Sequence, residues 1–414
     1  MKKLYTTLFL LLLTAPILTE TVLLKGGLVH SGNGGTAIIQ DILISDNTIV
    51  GVGNNLIIDG NTRVIEVNGL PVTPGLISPM SNLGIVEINS LDVTRDDESE
   101  ILSAGFSIFN AFNPHSTGIP WNRSNGVTSS ISTPGYSSHI FKGMGSFFLL
   151  DGNLDITGNP DVAMYSRIGA TGGSRAETIQ IMESMFELAK NKDGVEIEDL
   201  LETTFASSLD MQLQDIEALA RVVNREIPLV LEVNRASDIL QALRLKKEFD
   251  LDLVLMSVEE APLVLDQIQA SGVSVIIDPM DNITDSFDEL ASNIKLGGIL
   301  SNAGIRVIFS TQRSHNYHLM RQGAGNAVAH GMNYSAGIAG MTSTVAEIFN
   351  IQNRGLIKEG NFADIVIWSD DPLEPSAYPT TVIINGDEMS LATRASRLTE
   401  RYTDKRDLPS AYKH

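Results

Sequence analysis

Residues 71–77 read Pro71-Val72-Thr73-Pro74-Gly75-Leu76-Ile77, and the rhythm of the chain changes there. Upstream, over residues 20–70, short runs such as Val22-Leu23-Leu24, Ile42-Leu43-Ile44 and Val64-Ile65-Glu66-Val67 are bounded by Gly26-Gly27, Asp46-Asn47 and Asn68-Gly69. Branched apolar residues punctuated by turn formers read as a small antiparallel sheet. Downstream, apolar runs alternate with helical stretches. The clearest cycles place strands over 227–233, 251–256, 273–277 and 305–310. Helices follow them over 236–249, 261–270, 286–303 and 317–330. Parallel strands need crossover connections, so this spacing predicts βα units and a parallel sheet. Four consecutive units fit half of a closed (βα)₈ barrel. Spacing alone leaves a doubly wound open sheet as the alternative.

The first half of the barrel is less regular. Strands are expected over 72–77, 106–112 and 127–131, and helices over 175–190 and 197–224. Between them, residues 133–159 form an insertion rich in glycine, serine and aromatics, in which Ser146-Phe147-Phe148-Leu149-Leu150 reads as an extra strand. After residue 350 the pattern is β-like again, with Ala363-Asp364-Ile365-Val366-Ile367-Trp368 and Thr381-Val382-Ile383-Ile384-Asn385-Gly386. The expected organisation is a leader over 1–19, a composite β-sandwich from 20–70 and 350–392, a barrel over 71–349 and a polar tail over 393–414.

Composition narrows the function classes. The net charge is -21, from 50 acidic and 29 basic residues, and no basic run interrupts it. Such a surface repels phosphate backbones and anionic lipid, which argues against nucleic-acid partners. The chain has no cysteine, which excludes disulfides, thiolate ligands and a cysteine nucleophile. Lys2 and Lys3 precede an apolar stretch over 8–18, the pattern of a secretory signal peptide. That stretch is short for a permanent span, and no other segment approaches the roughly 18 apolar residues a transmembrane helix needs. The expectation is an exported, periplasmic protein, free of the membrane once the leader is removed.

Two motifs make the layout specific. One is the Pro71-to-Ile77 run quoted above. The other is Gly355-Leu356-Ile357-Lys358-Glu359-Gly360-Asn361-Phe362-Ala363-Asp364-Ile365-Val366-Ile367-Trp368. Together they resemble the amidohydrolase superfamily, in which the first opens barrel strand one and the second returns the chain to the sandwich. The stretch Pro228-Leu229-Val230-Leu231-Glu232-Val233-Asn234-Arg235-Ala236 is similar to the imidazolonepropionase-like branch. So are Asp278-Pro279-Met280-Asp281-Asn282 and Gly325-Asn326-Ala327-Val328. The resemblance covers roughly residues 20–390. It implies a (βα)₈ TIM-like barrel with a composite β-sandwich, hydrolysing non-peptide C–N bonds with zinc or another divalent metal at the C-terminal ends of the strands. Such a site needs neutral imidazoles and carboxylates around the metal and one open position for water.

The residues at those positions are of other types. Where the resemblance places the two histidines of strand one stand Met80 and Asn82, a thioether suited to soft metals and a weak neutral amide. Glu232 stands at the strand-five histidine. The strand-six candidates are Ser257, Glu259 and Glu260, and no lysine matches the bridging one of strand four. Gln312 replaces the strand-eight aspartate, and an amide has no proton affinity useful for a general base. No metal cofactor is therefore expected. Glu232 is the candidate catalytic base, against the alternative of a carboxylate paired to Arg235 or Arg313. His315, just after strand eight, is the second catalytic candidate, against a hydrogen-bonded loop residue. Asp278 and Asp281 read as loop-shaping residues. His30, His115, His139, His318 and His330 have no ligand-spaced partners. Gly169-Ala170-Thr171-Gly172-Gly173-Ser174-Arg175 lacks a phosphate-loop lysine, and no Gly-x-Ser-x-Gly elbow exists. Two functions stay open: a C–N hydrolase with a rearranged site, and a catalytically inactive relative that binds a small ligand or a protein.

Overall fold

The computed structural model describes residues 21–403 apart from 136–138, 170–173, 192–198, 200, 282, 285 and 312. The leader and Gln312 thus lie outside the described residues. Among those described, no helix is long and apolar enough to cross a membrane.

The N-terminal strands are β1 (Thr21–Val29), β2 (Ile38–Ser45), β3 (Thr48–Gly53), β4 (Arg63–Glu66) and β5 (Pro71–Pro74). After them come β6 (Leu76–Ser81), β7 (Val127–Ser132), β8 (Phe141–Leu149), β9 (Gly158–Arg167), β10 (Leu229–Val233), β11 (Leu253–Ser257), β12 (Ser274–Ile277) and β13 (Val307–Phe309). The chain then returns through β14 (Ile365–Trp368), β15 (Pro379–Ile384) and β16 (Asp387–Glu388). The two ends form one sheet in the order β16-β15-β14-β5-β1-β2-β3, with β4 beside β1. The join is β14 antiparallel to β5, with Val366 opposite Thr73. It is fastened by the Trp368 indole N–H donating to Thr73 Oγ1 at 2.9 Å and by Gly75 N–H donating to the Asp364 carbonyl at 2.8 Å. Gly75 turns the chain from this sheet into β6. A Cβ there would sit 2.1 Å from the Thr128 hydroxyl, so only glycine fits.

The second sheet runs β6 to β13 in chain order and is nearly closed. At the gap the backbone of Gly340-Met341 bridges the first and last strands: Ile77 N–H donates to the Met341 carbonyl at 2.9 Å and Phe309 N–H to the Gly340 carbonyl at 3.3 Å. A Cβ on Gly340 would meet the Val307 carbonyl at 2.7 Å, which accounts for a glycine at that approach. β9 to β13 pair in parallel, and β10 to β13 are short, largely apolar runs buried on both faces.

Two expectations are corrected in the first half. Residues 106–112 form no strand; Phe109–Ala111 is a single 3₁₀ turn. The expected extra strand is real but longer, as β8, and it occupies a full place in the sheet, antiparallel to both β7 and β9. The reason is chain length: connections 133–140 and 150–157 are shorter than the roughly dozen residues a parallel crossover needs. β9 has no counterpart among the sequence-predicted strands, because it opens on polar Asn159-Pro160-Asp161.

Candidate functional site

The C-terminal ends of β6, β10, β11 and β13 open on a cavity of about 280 Å³. Met80, Asn82 and Glu232, three of the expected positions, line it together. So do Asp97, Lys142, Arg167, Met256 and Tyr317. The strand ends of a barrel are where side chains from many segments converge, which is why this face carries chemistry in such folds.

Two irregularities aim side chains into the mouth. In β8, Phe141 pairs with Ser166 and Gly143 with Tyr165, so Lys142 is the extra residue of a bulge. Gly143 has φ +119, and a Cβ there would lie 2.5 Å from the Phe106 carbonyl. Bulges of this kind re-aim a side chain out of the pleat. Here the Lys142 ammonium donates to Glu232 Oε2 at 3.3 Å. In β6, the pairing slips between Ser78 and Ser81. Pro79 has no N–H for the ladder, so the slip frees Met80 to face the cavity.

Polar contacts fix the rest of the lining. The Tyr317 hydroxyl donates to Asn82 Oδ1 at 2.5 Å and accepts from Asn82 N–H at 3.1 Å. Burial pushes this phenol up to about 12, so it stays protonated as a donor. The Asn82 amide nitrogen donates to Asn89 Oδ1 at 3.1 Å. Asp97 is buried, and burial raises its carboxyl pKa against the pull of Arg95, whose Nε and Nη2 each lie 3.2 Å from it. Gly135 packs on this carboxylate, where a Cβ would come within 2.2 Å of Asp97 Oδ2. Below the mouth, the Tyr165 hydroxyl crosses the interior to donate to the Pro79 carbonyl at 3.2 Å.

The remaining candidates sit elsewhere. His315 does not line the cavity. It adopts φ +66, and its carbonyl accepts from Asn122 Nδ2 at 2.8 Å, which matches the loop-residue alternative. Glu232 is paired, as its alternative held, but to Lys142. Arg235 instead reaches Asp288 Oδ1 at 2.7 Å, and Arg313 is exposed. Asp278 Oδ1 accepts from Met280 N–H at 3.0 Å, a loop-shaping contact. Glu260 Oε2 accepts from Ala236 N–H at 2.8 Å, at the start of the helix Ala236–Phe249. Glu259 follows a strained pair, Ser257 at φ 75 and Val258 at φ 57, a conformation a β-branched residue rarely adopts. Burial, and then Asp281, Glu289 and Asp278 nearby, push Glu259 up to about 7 against a Ser292 hydrogen bond.

Sequence reasoning missed Asp97, Lys142, Arg167 and Tyr317. Only Lys142 carried a signal, as a lone charge inside the glycine- and aromatic-rich run Phe141-Lys142-Gly143-Met144. Among the described residues, no group of three His, Asp or Glu side chains is placed to hold a metal ion. The donors present at the mouth fit a hydrolytic divalent ion poorly. Met80 is a thioether, the Asn82 oxygen already accepts from Tyr317, and Glu232 is held by Lys142.

Comparison with known proteins agrees with this frame. The sequence profile of the Amidohydrolase family matches residues 251–389. An amidohydrolase of Hapsidospora irregularis is 22% identical over 403 residues, covering 86% of this chain. The chain spans about 40% of the length of that curated relative. An amidohydrolase from Thermotoga maritima superposes with a TM-score of 0.78 at 21% identity, over 89% of this chain and 99% of that one. The A. niger ochratoxinase superposes with a TM-score of 0.55 at 15% identity, over 89% and 95%. The profile match is confined to the second part of the chain, the superpositions show the fold, and neither singles out the imidazolonepropionase-like branch.

Proposed function

We propose, on the premise of the amidohydrolase superfamily, that this chain hydrolyses a non-peptide C–N bond in a small amide at the barrel mouth, without the family's metal centre. The sheet is then a (βα)₈ barrel whose third position is filled by the reversed β8, and the composite sheet is the family's sandwich. The observation that carries the reading is the Glu232–Lys142 pair at 3.3 Å in the cavity. Glu232 takes a proton from water as the water oxygen bonds to the amide carbon. The Lys142 ammonium, with Arg167 beside it in the lining, stabilises the oxyanion that forms. The C–N bond then breaks, its electron pair stays on nitrogen, and Glu232 returns the proton to the leaving amine, giving a carboxylic acid and an amine. The donor chemistry of Met80 and Asn82 supports a metal-independent route. The Lys2-Lys3 start and the apolar stretch after it support export to the periplasm.

The test is turnover of a panel of lactams, N-acyl amines and ureido compounds by the full-length protein, before and after chelation. Activity should survive chelation, and Glu232→Gln should lower kcat by roughly 10²–10⁴, the usual worth of a general base. Activity abolished by chelation and restored by zinc would sink the metal-free route, and an unchanged Glu232→Gln variant would remove Glu232. A second reading, a silent ligand-binding relative, is favoured by the same ion pair, because Lys142 already neutralises the carboxylate. Calorimetric binding of panel members with no turnover by the native chain would establish it.

A further inference from the structure

A second cavity, of about 440 Å³, lies away from the mouth, between the helices Gly118–Arg123 and Arg394–Thr403. Its charged lining is Arg123, Arg394, Arg397 and Arg401, with His115 beside them and no acidic side chain. This is out of keeping with a chain of net charge -21. Several arginines elsewhere close onto carboxylates, as Arg175, Arg235, Arg244 and Arg354 do. Among the described residues, no carboxylate forms a salt bridge with Arg394, Arg397 or Arg401.

The wall is built rather than loose. Thr393 and Ser396 cap each other: Ser396 N–H donates to Thr393 Oγ1 at 3.0 Å and Thr393 N–H to Ser396 Oγ at 2.9 Å. That fixes the start of the helix, and spacings of three and four residues then put the three arginines on one face. Opposite them, Arg123 is only 9% exposed. Its Nη1 donates to the carbonyls of Leu150 and Asp151 at 2.9 and 2.8 Å, and its buried Nε has no hydrogen-bond partner. Two backbone carbonyls fix this guanidinium in place, and the Asp151 carboxylate, which is not part of the lining, also acts on it. Pro120, Ala392 and Leu398 supply apolar wall between the charges.

We infer that this cavity binds a small organic molecule carrying two or more oxyanion groups, carboxylate or phosphoryl. Guanidinium forks match both groups bidentately. The volume exceeds what one inorganic ion fills, and the apolar wall accommodates a carbon skeleton.

The experiment is calorimetric titration of the full-length protein with citrate and, separately, with pyrophosphate, at 150 mM salt. At least one should bind saturably at one site per chain, and the stronger identifies which oxyanion the site prefers. The double variant Arg397→Gln with Arg401→Gln removes exposed charges from a surface helix and should weaken binding at least tenfold, about 1.4 kcal/mol. An equal charge loss elsewhere, Lys247→Gln with Lys358→Gln, should change it less than about twofold, because screening reduces distant charges at this salt. No saturable binding of either probe would overturn the inference. So would equal weakening by both double variants, or binding only to phosphatidylglycerol vesicles.

Discussion

Between β10 and β13 the second sheet is parallel throughout, whereas between β6 and β9 one strand runs against both its neighbours. The parallel half is made of apolar runs such as Leu229-Val230-Leu231 and Val275-Ile276-Ile277, buried on both faces. The other half buries hydroxyls instead. Ser81 and Ser130 share a hydrogen bond at 2.6 Å, and Ser132 Oγ donates to the Leu83 carbonyl at 2.7 Å. It also carries the bulges at Lys142 and Met80. The parallel half therefore resembles scaffold, while the irregular half supplies most of the polar groups that reach the mouth. Glu232 is the main exception, and it meets its partner from the irregular side.

The largest expected effect tests the scaffold. Ile276 is fully buried in the centre of β12. Ile276→Ala should cost about 2–5 kcal/mol by removing packed methylenes and leaving a void. Denaturant unfolding measures it, and affinity at the mouth, read on the folded fraction, should be unchanged. A loss below about 1 kcal/mol would mean that the parallel half is not where stability resides.

That division also governs what the residues disclosed. The parallel half was legible because each strand is a short apolar run with a helix after it, and both motifs that carry the superfamily resemblance flank regular elements. β9 was hidden by its polar start. The sense of β8 follows from connection lengths, which matter only once both neighbouring strands are known. At the mouth, Met80, Asn82 and Glu232 were legible by position along their strands. Asp97 was not, since Asp96-Asp97-Glu98 reads as a solvated acidic run. Tyr317 reaches Asn82 across the seam between the last and first strands, a contact no local pattern encodes. The residues 393–414, expected as a polar tail, begin with a helix that walls a cavity.

An intermediate effect belongs to the parallel half alone. Glu259 is raised to about 7 by burial among Asp281, Glu289 and Asp278. The folded chain holds this proton more tightly than the unfolded chain does. The contribution is therefore complete below the ordinary carboxyl range, near 4.5, and is lost as pH rises through about 7, at up to about 1.4 kcal/mol per pH unit. Urea unfolding of the native chain and of Glu259→Gln between pH 4.5 and 7.5 isolates it. The difference between the two should shift in favour of the variant as pH rises. A difference independent of pH would show that the carboxyl titrates normally, and that the strained Ser257-Val258 turn does not hold it away from water.

The smallest effect sits where the halves meet. Tyr317 follows the last strand and bonds twice to Asn82, just past the first. Tyr317→Phe removes both contacts, yet Asn82 is only half-buried, so water can replace the lost partner. The cost to stability should stay near 1 kcal/mol, the net worth of an ordinary hydrogen bond. If the irregular half is chemistry on a separate scaffold, the variant should alter ligand affinity at the mouth more than it alters the unfolding midpoint. Water admitted beside Asn82 changes the lining without disturbing the Gly340-Met341 bridge that closes the sheet below. A loss of 3 kcal/mol or more would reverse the argument: the seam would then be held by the side chains of the mouth, and site and scaffold would be one structure.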